Sequence, residues 1–334
     1  MQSLFNILSK CISFSFLKNH SDFNLILPFY HIISDNLLSH IYYIHDYKNT
    51  ENFEKDLDFL LKHFNPINLK EILNCINNNI QLPKNSFHLT FDDGFREVYD
   101  IIAPILISRG ISATIFLNSS FIDNKDLSYK CKQSILISVL KNSSGEKKES
   151  VRRFLLKNGI DKSDIYKGIQ LINYKQQGLL NDIAYQIGFD FTNYLIENKP
   201  YMTTKEIKNL IEKGFTFGAH SVDHPDYTEL SEDEKYRQTV ESMALIKDKF
   251  KLDYSVFAFP FSDYGISESF FNKIFNDKVI DLSFGTGGLI KDVSPKIFQR
   301  VWMEYPNKPA KDIIKIQLFM SLIRTKMKKN YFRR

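Results

Sequence analysis

The chain is poor in the residues that staple small folds. Its 334 residues include three cysteines, Cys11, Cys75 and Cys131, too few and too scattered for a disulfide framework or a zinc ribbon. Such usage fits a reducing compartment. No segment reaches the roughly 18 apolar residues of a membrane span. The N-terminal segment 1–23 sets Lys10 and Lys18 among its apolar residues. It has no uninterrupted apolar stretch of signal-peptide length and no small-residue cleavage site. These absences lead to the expectation of a cytoplasmic protein. There is no dinucleotide-binding glycine fingerprint either, which counts against an open Rossmann-type sheet.

Charge of one sign is scarce outside the C-terminus. The net charge is +5, but residues 311–334 alone hold eight Lys and Arg against Asp312. The rest of the chain is close to neutral, which argues against a nucleic-acid enzyme, whose basic surface would run across the body. The terminal cations interleave with Ile313, Ile314, Leu318, Phe319, Leu322 and Ile323. That pattern fits two things: an interfacial helix making peripheral contact with an anionic membrane, or a last core helix with a basic end.

What is plentiful is aromatic and β-branched. The 29 Phe and 17 Tyr are enough for a large core. Seven short apolar or β-branched runs lie near residues 24–32, 86–91, 112–117, 215–219, 255–259, 279–284 and 297–303. Helix-like stretches follow most of them. Residues 52–61 repeat apolar positions at helical spacing, and Ser231-Glu232-Asp233-Glu234 reads as a capping box. Strand–helix alternation of this kind predicts a parallel α/β architecture, and seven strands favour a barrel. Residues about 122–200 break the alternation and read as a helical insertion. The division is therefore an N-terminal segment 1–23, a barrel 24–310 with that insertion, and a basic amphipathic tail 311–334.

Two motifs carry chemistry. Thr90-Phe91-Asp92-Asp93-Gly94 ends the second run and His220-Ser221-Val222-Asp223-His224-Pro225 ends the fourth. Adjacent carboxylates repel; a cation taking one removes that cost and leaves the other free as a base. Two histidines and a carboxylate are the usual protein ligands of a catalytic zinc ion with one position open. Barrel active sites form at the C-terminal ends of the strands. His31, Asp92, Asp93, His220, Pro260-Phe261, Gly285-Thr286-Gly287-Gly288, Arg300 and Glu304 all fall at such ends.

These motifs resemble the first two motifs of the polysaccharide deacetylases, the NodB-type carbohydrate esterases, over roughly residues 24–305. The resemblance implies a distorted (β/α) barrel, which with the seven runs and the insertion read above becomes a (β/α)7 barrel with a helical insertion, and a metal-dependent hydrolase that removes N-acetyl groups from an amino-sugar glycan in cell-surface polysaccharide synthesis or modification. It implies Asp92 as general base and Asp93, His220 and His224 as ligands of a divalent metal, zinc foremost among the first-row ions. Phe257-Ala258-Phe259-Pro260-Phe261 is similar to the third motif, in which the residue after Pro lends a backbone N–H to the oxyanion; Phe261 holds that place. Ala258 departs from the family's Arg, and Arg300 is the substitute that position suggests. The family's C-terminal Leu-x-His acid is absent. Phe29-Tyr30-His31 looks like the early Tyr-His of the poly-N-acetylglucosamine deacetylase subgroup, which points to His31 as the acid, with Glu304 next. Trp302 near the rim is a candidate sugar platform, and Tyr227 and Tyr264 are others. The rival readings are a deformylase or deacetylase of a lipid-linked sugar and a non-catalytic glycan-binding barrel.

Overall fold

The computed structural model describes residues 12–327, 329–332 and 334; the first part of segment 1–23 lies outside the described residues. Eleven short strands are β1 (Leu25–Ile26), β2 (Pro28–Tyr30), β3 (Asn65–Pro66), β4 (Ser86–Phe87), β5 (Leu89–Phe91), β6 (Ala113–Leu117), β7 (Thr216–Ala219), β8 (Val256–Ala258), β9 (Leu282–Gly285), β10 (Ile297–Gln299) and β11 (Val301–Trp302). Eight of them form one parallel sheet in the order β10-β9-β8-β7-β6-β5-β2-β11. β1, β4 and β3 make a small parallel sheet of their own.

All seven sequence-predicted runs become strands, and the seventh closes the barrel by an unusual route. Its first half, β10, pairs with β9 at Gln299↔Gly285. The chain then shifts at Arg300, and its second half, β11, pairs with β2 at Trp302↔Phe29. One strand thus spans the seam, giving a (β/α)7-type barrel distorted at its last strand. Parallel register places the strand ends together: Tyr30 beside Phe91, Phe91 beside Ile115, Leu117 beside Ala219, and Ala258 beside Phe284. Every strand that bears a site motif therefore delivers it to the same rim.

The core explains the abundance of Phe. Phe53, Phe87, Phe91, Phe217, Phe257 and Phe259 lie in one buried cluster with Ile and Leu from the surrounding helices. Helix Thr50–His63 starts on Asn49, whose side chain accepts from the N–H of Asn52, and buries Phe53, Leu57 and Leu60 against the barrel. Helix Glu232–Phe250 starts on Ser231 as expected, but only half of the capping box forms, because the Glu234 carboxylate is taken by Arg237 at 2.6 and 2.8 Å. Gly218 is required by closeness: a Cβ there would stand 2.5 Å from the Val256 carbonyl oxygen. His88 lies inside the barrel, bonded to the Ile67 carbonyl and to Thr114 at 2.8 and 2.7 Å, and is a structural residue.

Five α-helices, Tyr129–Lys141, Gly145–Lys157, Ile165–Gln170, Gly178–Ile187 and Phe191–Asn198, make up the insertion after β6, and helix Thr204–Glu212 then leads into β7. The five bury their own cluster, including Leu136, Val151, Leu155, Ile169, Leu180 and Ile183.

Of the two readings of residues 311–334, the structure has the last core helix, and peripheral contact with a membrane finds no support in it. Helix Ala310–Lys326 buries Ile313, Ile314, Leu318 and Phe319 in the barrel core and packs on helices Phe14–Asn19 and Thr50–His63. Its apolar stripe is thus already covered by protein. Buried Asp56 caps its start, accepting from the N–H of Ala310 at 2.7 Å, from Tyr30 Oη at 2.9 Å and from Lys48 Nζ at 2.5 Å. Farther on, the Arg334 side chain is buried and pairs with the buried carboxylates of Asp263 and Asp292, each at 2.5 Å. No helix among the described residues is long and apolar enough to cross a membrane.

Removing one member of a buried charge cluster leaves the others uncompensated, at a cost of about 3–5 kcal/mol. Arg334→Ala should therefore lower the urea midpoint, with an unfolding free energy from the same curve reduced by an amount in that range. A midpoint equal to that of the unmodified chain would mean that the C-terminal segment does not dock.

Candidate active site

Asp92 and Asp93 follow β5, and their loop is held by its glycine. Gly94 sits at φ +71°, and a Cβ on it would meet Leu117 Cδ2 at 2.6 Å. Asp93 itself has φ +69°. The histidine motif follows β7 in a similarly constrained turn, with Ser221 at φ +72° and His224 at φ +64°. Side chains rarely adopt this backbone region, and residues held there cluster at functional sites. The turn is well fastened. The N–H of Ser120 donates to the Val222 carbonyl at 2.9 Å, and that of His224 donates to Ser221 Oγ at 3.0 Å. Tyr174, from the insertion, donates to Asp223 at 2.7 Å.

These loops converge Asp93, His220 and His224, whose potential ligand atoms all lie within 4.8 Å of one another. The Nε2 atoms of His220 and His224 stand 3.6 and 3.2 Å from Asp93 Oδ1. That oxygen is buried without a hydrogen-bond partner. His220 Nδ1 lies 2.8 Å from the Ala258 carbonyl oxygen, an acceptor only, so its proton sits on Nδ1 and its Nε2 carries a lone pair. Burial lowers the pKa of His220 to about 4 and that of His224 to about 3, so both are neutral near pH 7. Burial raises Asp93 from the ordinary carboxylate value. Two neutral imidazole nitrogens beside an unsatisfied carboxylate oxygen are a donor set for a cation, and the bond from His220 Nδ1 to the Ala258 carbonyl is the kind that orients a ligating imidazole. Two nitrogens and an oxygen suit zinc and its first-row neighbours.

Asp92 is held on the other side. Arg300 reaches inward from the seam between β10 and β11 and grips both its carboxylate oxygens at 2.6 and 2.7 Å, with neither side chain more than 2% exposed. Burial works to raise the Asp92 pKa, but the guanidinium outweighs it and brings the carboxyl to about 2. The pairing that Ala258 cannot make is thus made from a different strand.

His31 follows β2, and its Nδ1 lies 2.7 Å from Glu304 Oε2. The same carboxylate accepts the N–H groups of His31 and Ile32 through Oε1 at 2.8 and 2.9 Å. Burial alone would lower the His31 pKa; Glu304 overrides it and lifts the value to about 9. Glu304 in turn stays below the usual carboxylate value despite its burial, because His31 and His45 face it.

The remaining sequence candidates separate. Phe261 is at the rim with φ +57°, its ring 4.6 Å from that of His224, and the buried Pro260 precedes it. Trp302 packs edge-on to Phe29 and meets His31 and His45 at 5.0 and 5.5 Å. Tyr227 is wholly buried and bonded to Thr239, so it is a core residue and no sugar platform. Tyr264 is exposed and meets Phe332.

A cavity of about 430 Å³ opens in front of this group, lined by His31, Asp92, Asp93, His224, Phe261 and Trp302. It is also lined by residues that the sequence did not bring forward: His45 and Tyr43 from the loop after β2, and Lys130, Gln133 and Gln170 from the insertion. Only their polarity beside apolar helical positions could have drawn notice, and many surface residues share that trait.

The description "polysaccharide deacetylase" belongs to the family model that matches residues 79–155 and 182–271. The gap between the two segments falls in the helical insertion. No curated protein matches the chain. Among solved structures, the Streptococcus pyogenes deacetylase PplD is similar with a TM-score of 0.57 and 15% identity, over 88% of this chain and 97% of that one. IcaB from Ammonifex degensii is similar with a TM-score of 0.54 and 16% identity, over 89% and 97% of the two chains. A de-N-acetylase from Aggregatibacter actinomycetemcomitans gives 0.52 and 12%, over 84% and 95%. At these identities the likeness establishes the barrel fold. With the family model covering half of its length, the chain belongs to the polysaccharide deacetylase family of hydrolases acting on carbon–nitrogen bonds.

Proposed function

We propose that this chain removes N-acetyl groups from an amino-sugar glycan of cell-surface polysaccharide, using a divalent metal, zinc first, held by Asp93, His220 and His224. The observation that carries the reading is the arrangement of two oppositely biased pairs around that donor set. Asp92 is kept ionised by Arg300, and His31 is kept protonated by Glu304. Amide hydrolysis needs one group of each kind, a base for the water and an acid for the leaving amine.

When bound, the metal polarises the acetyl carbonyl and makes the attacking water more acidic. Asp92 accepts the proton of that water as it adds to the carbonyl carbon. Arg300 sacrifices some basicity of Asp92 for a fixed orientation. The N–H of Phe261, at the rim turn, faces the developing oxyanion. His31 then donates a proton to the amine nitrogen as the C–N bond breaks, and Glu304 stabilises the imidazolium before the transfer. Trp302 offers an apolar face to the sugar. Cys75 and Cys131 are both free and buried, which supports a reducing, cytoplasmic setting.

Three measurements test this reading. Asp93→Asn, or Ala at His220 or His224, should lower metal content in elemental analysis of the purified protein as well as activity; full occupancy in all three would remove the ligand assignment. Asp92→Asn should retain the metal and lose about 10²–10⁴-fold in turnover. Wild-type turnover with metal intact would remove Asp92 as the base.

The third is a pH profile. His31 has a raised pKa of about 9, so it is protonated below that value and kcat/KM for acetate release should fall as the pH rises through it. In Glu304→Gln the cause of the raised value is gone and burial pulls His31 down. The alkaline limb should then move to lower pH by about one unit or more. An unmoved limb would mean that another group gives the proton.

A further inference from the structure

The cavity has two unlike walls. One is the barrel rim with the catalytic group; the other is the insertion, which contributes Lys130, Gln133 and Gln170. The insertion is bolted in place on both sides. Ser134 Oγ donates to the Ser39 carbonyl at 2.6 Å and accepts from the N–H of Tyr43 at 3.1 Å. Gln170 Nε2 donates to the Tyr43 carbonyl at 3.2 Å. On the other side, Tyr174 fixes the insertion to Asp223 within the histidine motif. The inner face of the insertion therefore presents its side chains to the cavity at set positions.

Lys130 is the cation of that face. It is half-buried, its Nζ lies 5.0 Å from the centre of the Tyr129 ring, and it lines the same cavity as Asp92 and Asp93. Among the described residues no carboxylate stands within 4.0 Å of it, whereas the nearby Lys132 has Asp126 at 2.9 Å. Glu229 and Asp226 act on it only from beyond ion-pair distance, and burial lowers its pKa. Holding a partly desolvated ammonium with a ring face beside it but no close counter-charge is unfavourable. A row of rings joins it to the donor set: His224 meets Phe261 at 4.6 Å, and Phe261 meets Tyr129 at 6.4 Å. That row forms an apolar track for a sugar between the metal ligands and Lys130.

We infer that the cavity selects amino sugars bearing an anionic group, a carboxylate or a phosphate, which Lys130 receives while the acetamido group lies at Asp93, His220 and His224. The inference rests on the deacetylase reading for the reaction, but the anion site is testable apart from it. The partner that Lys130 lacks inside the protein is supplied by the substrate, and a neutral glycan leaves the ammonium unpaired.

The test compares the metal-loaded protein with its Lys130→Gln variant. Acetate release is followed on a neutral N-acetylglucosamine oligosaccharide, on a methyl phosphodiester of N-acetylglucosamine, and on an N-acetylated amino sugar carrying a carboxylate. Equilibrium binding of the same three compounds is measured on Asp92→Asn with and without Lys130→Gln. An anionic substrate should exceed the neutral one in kcat/KM by about 10-fold, mainly through KM, as expected of a charge-assisted contact. The ratio should fall to about one in Lys130→Gln, and added salt should erode it. Preference for the phosphodiester assigns the anion to a phosphate-linked sugar; preference for the carboxylate assigns it to an acidic sugar. A neutral substrate that binds and reacts as well as both anionic ones, or a ratio unchanged in Lys130→Gln, overturns the inference. Anion-selective binding lost in Lys130→Gln, with no acetate released from any compound, upholds the anion site and overturns the deacetylase reading.

Discussion

The ion pair between Asp92 and Arg300 ties the architecture to the chemistry. Arg300 occupies the one residue between β10 and β11 where the last strand changes partners. Its guanidinium crosses the barrel interior, 4.4 Å from the Phe29 ring and 5.4 Å from that of Phe116. Besides Asp92 it binds the Gly285 carbonyl and Thr90 Oγ1, each at 3.1 Å. A buried pair of this kind contributes little net stability, because desolvation offsets the attraction, whereas losing one partner is costly. Its value is positional: the seam cannot close in another register without stranding both charges.

The site sorts identical side chains into different roles by environment. Four histidines line or approach the cavity. His31 faces a carboxylate and rises to about 9, while burial drops His220 to about 4 and His224 to about 3. His45 is also lowered by burial, although Glu304 lies 3.8 Å away. Two aspartates adjacent in sequence diverge as well, one lowered by a guanidinium and the other raised by burial. Separated titrations of this kind let one pocket hold an ionised carboxylate and a protonated imidazole at the same pH. The left-handed backbone at Asp93, His224 and Phe261 points the same way, since such conformations persist only where the surrounding structure holds them.

Much of this was readable before any coordinates. The strand runs were legible because short β-branched stretches bounded by polar residues have few other uses. Asp92, Asp93, His220 and His224 were legible because each follows such a run, and parallel register turns that sequence position into a shared rim. The partnership of His31 with Glu304 was not, since 273 residues separate them and nothing local announces the pairing. Helix Ala310–Lys326 was ambiguous for a different reason: an apolar stripe with flanking cations has the same period whether protein or lipid covers it. The inner face of the insertion was hidden likewise. Helical periodicity shows that a face is buried but not which wall it completes.

The seam has a consequence for how the chain reaches its fold. β2 must wait for β11, a partner more than 250 residues downstream, before its second edge is satisfied. Until this last segment arrives, with β10 to cover the edge of β9 and β11 that of β2, both are open strand edges on an unfinished cylinder. Pairings this distant in sequence make folding slow, and exposed edges invite association with other chains. During synthesis the barrel therefore remains an incomplete sheet for most of its length, and becomes a closed wall only when nearly the whole chain is available.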